Sequence, residues 1–271
     1  SGSCIDMERY NAIKIATALM REYIRHGIKL RIAGLKAGTV TNAIPTSCDL
    51  SLGCDSIEQL EALTEAYTNR LRQDIGSDDP GLTVVIESFS DSVSAVCQED
   101  TSRLLDLLTL LPTGRRHKST RIAGFTTASS NLGTACLYGD TVCIGFSMRA
   151  NTEFKLTVLE DEVSTIARLM GATLEQLDKT PCWEYQPHSA MRAKAAKLMP
   201  AIMGVPLVEE YEHGGLECGY FASHIPGLDI FVIGPVGREG HSTKEWLDLE
   251  SAHRVYNFLV QYLAHLKTEI N

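Results

Sequence analysis

A chain of 271 residues is long enough for one large domain or two modest ones, and its 44% hydrophobic content can bury a real core. The formal charge of -9 argues against nucleic acid as a partner, because a phosphate backbone calls for a basic surface. No apolar run is long enough to span a bilayer and no secretory signal is evident, so a cytoplasmic protein without membrane contact is expected.

In chain order, the first helix is expected from about Asp6 to His26, with Tyr10, Ile13, Thr17, Met20 and Ile24 on one face and Gly27 as its stop. Strands are expected over Ile28–Ala33 and Ser47–Leu52, either side of Asn42-Ala43-Ile44-Pro45. Ser56 and Gln59 then form a capping box for a helix to about Arg72. The β-branched run from Leu82 to Phe89 reads as a strand. A Leu-rich helix, Thr101 to Leu111, precedes a strand opening at Arg121-Ile122-Ala123-Gly124, which repeats Arg31-Ile32-Ala33-Gly34. Asn131 follows the second copy at nearly the distance at which Asn42 follows the first, and a further strand and a helix (Asn151 to Met170) come after it. Four matching residues alone allow a chance likeness; with the shared order of elements they suggest an internal duplication of a helix-strand-strand-helix unit. Such a unit makes an antiparallel sheet with helices on one face.

After Gly171 the pattern changes, and a boundary is placed there, giving domains 1–172 and 173–271. The second part reads as an irregular connector, a helix from Ser189 to Met203, and a short strand from Val205 to Tyr211. A glycine turn at His213-Gly214-Gly215 follows, then a continuous apolar strand from Leu228 to Ile233 of the doubly buried kind, and a closing helix from Leu249 to Leu266. The fold class expected is therefore α+β followed by part of an α/β layer.

Three constellations could carry chemistry. His241 lies in a glycine-flanked loop (Gly240-His241-Ser242) after the apolar strand, a place where α/β sheets hold sites, and suits metal coordination or proton transfer; a solvated loop histidine is the bland alternative. The backbone amides of Gly214 and Gly215 can meet an anionic group, or simply make a tight turn. Arg149, at a strand end, offers a planar fork for a carboxylate, or is a surface arginine. A thiol nucleophile at Cys218 paired with a histidine is also conceivable. No H-E-x-x-H, H-x-D or phosphate loop occurs, and the adjacent Glu209-Glu210 pair lies on an expected strand that points them to opposite faces. The eight cysteines contain no C-x-x-C pair and are expected to be buried, reduced thiols.

Taken together, His213-Gly214-Gly215-Leu216-Glu217-Cys218-Gly219, Ile233-Gly234-Pro235 and Gly240-His241-Ser242 with Glu245 resemble the C-terminal end of the aminoacyl-histidine dipeptidases. These Xaa-His, or cytosol non-specific, dipeptidases are zinc peptidases related to carnosinase and carboxypeptidase G. Asn11-Ala12-Ile13-Lys14, Asn42-Ala43-Ile44-Pro45, Ser130-Asn131-Leu132-Gly133 and Arg149 extend the resemblance over essentially the whole chain. It implies a catalytic α/β domain interrupted by a lid that also dimerises, residues 1–172 being the lid and 173–271 the return to the catalytic domain. It further implies that His241 ligates one of two zinc ions, that Arg149 and Asn131 clamp a dipeptide substrate, and that Asn42, Gly214 and Gly215 lie beside it. The family's other metal ligands and its general-base glutamate fall upstream of the lid, so these residues alone are expected to be inactive. The rival expectation is a non-catalytic dimerisation or binding module.

Overall fold

The computed structural model describes residues 9–75, 81–89, 93–211, 216–239 and 244–267. Contacts divide them into two compact units, the first ending at Cys182. The first contains α1 (Ala12–Arg25), β1 (Arg31–Ala37), β2 (Cys48–Gly53), α2 (Ile57–Ile75), α3 (Gln98–Leu110), β3 (Gly114–Lys118), β4 (Thr126–Tyr138), β5 (Thr141–Ala150) and α4 (Glu153–Met170).

All pairings in its sheet are antiparallel. β4 carries β5 along one edge; on the other edge β3 pairs with its first residues and β1 with Cys136 and Ala135, and β1 in turn pairs with β2. The helices lie on one face, with α1 beside α2 and α3, and α3 beside α4. The strand order β2-β1-β4-β5 thus runs with the helix order α2-α1-α3-α4. The core between the layers joins Ile13, Met20 and Tyr23 of α1 and Leu105 and Leu108 of α3 to Ile32, Leu35, Leu132 and Ala135 of the sheet. The β5 residues packed against it are Val142, Ile144, Phe146 and Met148. Strand alternation then assigns Cys143, Gly145, Ser147 and Arg149 to the helix-free face.

One polar side chain locks the layers together and a second locks two helices to each other. Asn11 caps α1 by accepting from the Ile13 and Lys14 amides, while its Nδ2 donates to the Leu132 carbonyl of β4 at 2.8 Å. Lys14 Nζ donates to the carbonyls of Leu108, Thr109 and Leu111 at 2.6, 2.9 and 2.6 Å, satisfying the C-terminus of α3, and burial lowers its pKa to about 8.

Several elements differ from their sequence expectation. The described part of the first helix begins at Ala12, not near Asp6, because Asn11 is in extended backbone and acts as its cap. Arg121–Gly124 is a turn rather than a strand. The Ser119 hydroxyl accepts from the Arg121 and Ile122 amides, and Gly124 takes φ 75°, so local side-chain capture overrides the likeness to Arg31–Gly34. Residues 82–89 alternate, with Val84 and Ile86 against the core and Val85 and Phe89 exposed, yet no described strand pairs with them. Of the capping box at Ser56 only half forms: the Gln59 amide reaches Ser56 Oγ, but its side chain donates to the His26 carbonyl.

The second unit holds α5 (Ala190–Met203), α6 (Glu217–His224), β6 (Gly237–Arg238), β7 (Trp246–Leu247) and α7 (Leu249–Lys267). Its core is Ala195 and Met199 of α5 with Phe258 and Tyr262 of α7, and Tyr262 also donates to the Met191 carbonyl at 3.0 Å. Residues 205–211 and 228–233 are not strands here. In the second run Phe231 and Ile233 pack on the helices, but Leu228 and Val232 are exposed, so the expected double burial is not met among the described residues.

Glu22 of α1 collects Arg25, Arg70 and His26, and chiefly the hydrogen bond from Arg70 holds its carboxyl below the ordinary value. A carboxylate depressed in the folded state stabilises above its unfolded pKa and loses that contribution as pH falls through the lowered value. Glu22→Gln should therefore lower stability at neutral pH and flatten the acid limb of a urea-midpoint-against-pH curve; parallel curves for the two proteins would contradict this role.

Candidate functional site

The helix-free face of β4 and β5 is a ladder of opposed pairs: Ser129 with Arg149, Asn131 with Ser147, Thr134 with Gly145, Cys136 with Cys143 and Tyr138 with Thr141. A bulge at Gly133 keeps both strands in phase on this face and allows Leu132 and Ala135 to reach the core on the other. The loop between β1 and β2 crosses the ladder. A Cβ on Gly133 would collide with the Thr41 backbone, one on Gly145 would meet Thr41 Cγ2 at 2.8 Å, and Gly38, at φ 67°, abuts the Gly133 carbonyl. Only glycines allow this approach of loop to sheet.

Asn131 fastens that loop. Its Nδ2 donates to the carbonyls of Thr41 and Ala43 at 2.7 and 2.8 Å, on either side of Asn42. Two carbonyl acceptors demand the amide's NH2 end, so its oxygen is left as an acceptor. Asn131 is 2% exposed, and its Oδ1 is buried with no partner among the described residues. Thr127 Oγ1, two positions earlier on the same face, is likewise buried and unpartnered. Native interiors leave few such atoms unsatisfied, and each calls for an explanation.

Arg149 stands diagonally across from Asn131, about 7–8 Å away by strand geometry. It is half-buried, and among the described residues its guanidinium has no hydrogen-bond or ion-pair partner. The face therefore offers a planar cation for a carboxylate and, beside it, a buried acceptor for an N–H group. A free peptide C-terminus has both, one bond system apart. Arg149, Asn131 and the exposed Asn42 are thus brought to one place in the first unit.

The remaining expected site residues divide. Gly214, Gly215 and His241 lie outside the described residues. The 240–243 segment is flanked by the β6–β7 ladder (Gly237 opposite Leu247, Arg238 opposite Trp246), and Glu239 just before it has φ 55°. That is a left-handed backbone adopted at a cost by a residue other than glycine, of a kind that clusters at functional sites. Glu209 is occupied by Arg192 at 2.9 Å and by Tyr211 at 3.3 Å, as a structural partner. Burial, then the adjacent Glu217, pushes the Cys218 thiol up, which opposes a thiolate nucleophile.

Sequence reasoning missed Thr127 and Ser129, although small polar residues at every second position (Thr127, Ser129, Asn131) are a legible sign of a polar face on a buried strand. It also missed a cleft of about 400 Å³ lined by Arg9, Tyr10, Asn11, Lys14, Ile44, Thr113, Gly114, Arg115 and Asn131. That cleft reaches Asn131 but not Arg149. Among the described residues no three His, Cys, Asp or Glu side chains converge as metal ligands, so the described part of the chain does not by itself fit a metal centre. No helix among them is long and apolar enough to cross a membrane.

The mixed fold with its antiparallel, helix-backed sheet has counterparts among known proteins. The chain is homologous to the cytosol non-specific dipeptidase of Escherichia coli K12, with 22% identity over 268 residues, 98% of this chain and 55% of that protein. Its fold is that of the aminoacylhistidine dipeptidase of Vibrio alginolyticus, with TM-score 0.82 and 23% identity over 94% of this chain and 53% of the other. The chain spans about half the length of the relatives it matches. No family model matches it.

Asn131→Leu keeps the side chain's bulk but strands two carbonyls. It should cost about 1–3 kcal/mol of stability in urea unfolding and speed amide exchange across residues 38–45. Unchanged stability and exchange would show that the loop is held by something else.

Proposed function

We propose that the chain is the substrate-clamping part of a dipeptidase that hydrolyses short, unblocked peptides of the Xaa-His kind. The observation that carries this is the Arg149 guanidinium, without a partner among the described residues, beside the orphaned Asn131 Oδ1 on the face that the loop between β1 and β2 crosses. In this reading Arg149 takes the substrate's terminal carboxylate in a forked ion pair and Asn131 Oδ1 accepts a peptide N–H. The loop it fastens presents Asn42, and Gly214 and Gly215, outside the described residues, are assigned to substrate binding. Holding the terminal carboxylate and a peptide N–H of a short peptide fixes the scissile bond against the catalytic groups before any bond is broken.

Two zinc ions would supply the polarised carbonyl and the activated water in the whole enzyme. The described residues do not form that centre. The proposal gives His241 to the metal and leaves the other ligands and the proton-shuttling glutamate to the part of those relatives beyond the match. The first unit would act as lid and dimerisation domain, residues 173–271 as part of the catalytic layer, and the protein would work in the cytoplasm as a homodimer.

Residues 1–271 alone should turn over no dipeptide, and supplying the remainder of a full-length relative in trans should restore zinc-dependent hydrolysis. Turnover by the chain alone overturns the inactivity; restored dimers without turnover favour a non-catalytic module. In the restored enzyme, Arg149→Met should raise KM for a free dipeptide by about 10–100-fold, the loss of a charge-assisted hydrogen bond, and leave KM for the C-terminal amide unchanged. Equal effects on acid and amide would remove the carboxylate from Arg149.

A further inference from the structure

One rung beyond Gly145 and Thr134 on the helix-free face, Cys136 and Cys143 stand directly opposite each other. Opposed residues of antiparallel strands have Cα atoms about 4.5–5.5 Å apart, within the roughly 4.4–6.8 Å that a disulfide spans. Their side chains leave the sheet on the same side. Both are free thiols, Cys143 exposed and Cys136 half-buried, contrary to the expectation of uniformly buried cysteines. On the β1 side Cys136 pairs with the exposed Lys36, so one rung reads Lys36, Cys136, Cys143. Tyr138, on the same face, hydrogen-bonds with Cys136 and also senses Cys143, which together push its phenol up.

The other described thiols are placed differently. Cys48 and Cys182 are pushed up to about 12, by burial first. Cys97 is exposed but serves as a helix cap, accepting from the Asp100 amide at 3.4 Å with its Sγ 3.2 Å from the Asp100 carboxylate. Only Cys136 and Cys143 are direct register partners in the sheet.

We propose that Cys136 and Cys143 form a thiol–disulfide exchange site for a small anionic disulfide of the glutathione type, with Cys143 the attacking and Cys136 the resolving sulfur. The Cys143 thiolate attacks one sulfur of the reagent, breaking its S–S bond. This makes a mixed disulfide and releases one thiolate, which takes up a proton. The Cys136 thiolate then attacks the Cys143 sulfur, forming the cross-strand bond and expelling the second thiolate. The protein loses two electrons and two protons; the reagent gains them as two thiols. Exposure sets the order, since Cys143 is exposed and Cys136 half-buried, and Lys36 offers a cation to the reagent's carboxylates.

The test is incubation of the whole chain with glutathione disulfide, acid quenching, alkylation and peptide mass mapping. In the unmodified sequence Cys136 and Cys143 should disappear together into one cross-linked peptide pair, ahead of Cys97. Cys136→Ser should accumulate a glutathione adduct on Cys143, whereas in Cys143→Ser an adduct on Cys136 should form roughly tenfold or more slowly, access being restricted. Either thiol persisting while Cys97 is consumed, or a stable mixed disulfide in the unmodified chain, overturns the proposal. The first mapping needs no variant, so a misfolded variant leaves it decisive.

Discussion

The hydrogen bonds from one amide, that of Asn131, set the shape of the candidate site. Because its NH2 end is committed to the carbonyls of Thr41 and Ala43, the loop between β1 and β2 lies across the sheet instead of projecting into solvent. The same commitment turns the amide oxygen into a buried acceptor that the described residues leave unmatched. A hydrogen bond that stabilises the fold and an unsatisfied atom that favours a ligand are thus two ends of one side chain. Glycines at 38, 133 and 145 are the condition for it, since any Cβ there would lift the loop away.

The sheet separates its two tasks by face. On one side, Leu132, Ala135 and the even-numbered residues Val142 to Met148 meet α1 and α3 and make the core. On the other, Ser129, Asn131, Ser147 and Arg149 form a polar strip, of which Ser129 and Asn131 are buried and Asn131 lies under the loop between β1 and β2. The bulge at Gly133 makes this compatible with a β4 of 13 residues, because without the extra residue one half of the strand would turn its apolar set to the wrong side. Asn11 ties the same strand to the helix layer through the Leu132 carbonyl, and Lys14 ties α1 to the end of α3 within that layer.

Much of this was readable in the sequence where a local period decided the outcome. α4, α5 and α7 fall near their expected spans because their apolar spacing and caps agree, Thr152 and Gly171 at the two ends of α4 being the clearest case. Where side-chain capture competes with a strand pattern, as at Ser119 before Arg121–Gly124, the pattern misleads. The apolar run Leu228–Ile233 looked doubly buried because periodicity cannot report which neighbours are present to cover it. Arg149 and Asn131 were found by residue type and resemblance. That they share a face and a diagonal follows only from the register, which a single sequence does not specify across a bulge. The orphaned oxygen depends on which end of the amide the loop engages, a fact of tertiary structure alone.

In the proposed reading an unblocked peptide sets its terminal carboxylate on Arg149 and a peptide N–H on Asn131 Oδ1. A crystal structure of the chain, alone or completed by the rest of a relative, soaked with an unblocked dipeptide tests this most directly. The account places the terminal carboxylate oxygens about 2.7–3.2 Å from the Arg149 guanidinium, with a peptide nitrogen at the same range from Asn131 Oδ1. A dipeptide bound instead in the cleft of Arg9, Lys14 and Arg115, with Arg149 left unliganded, would contradict it.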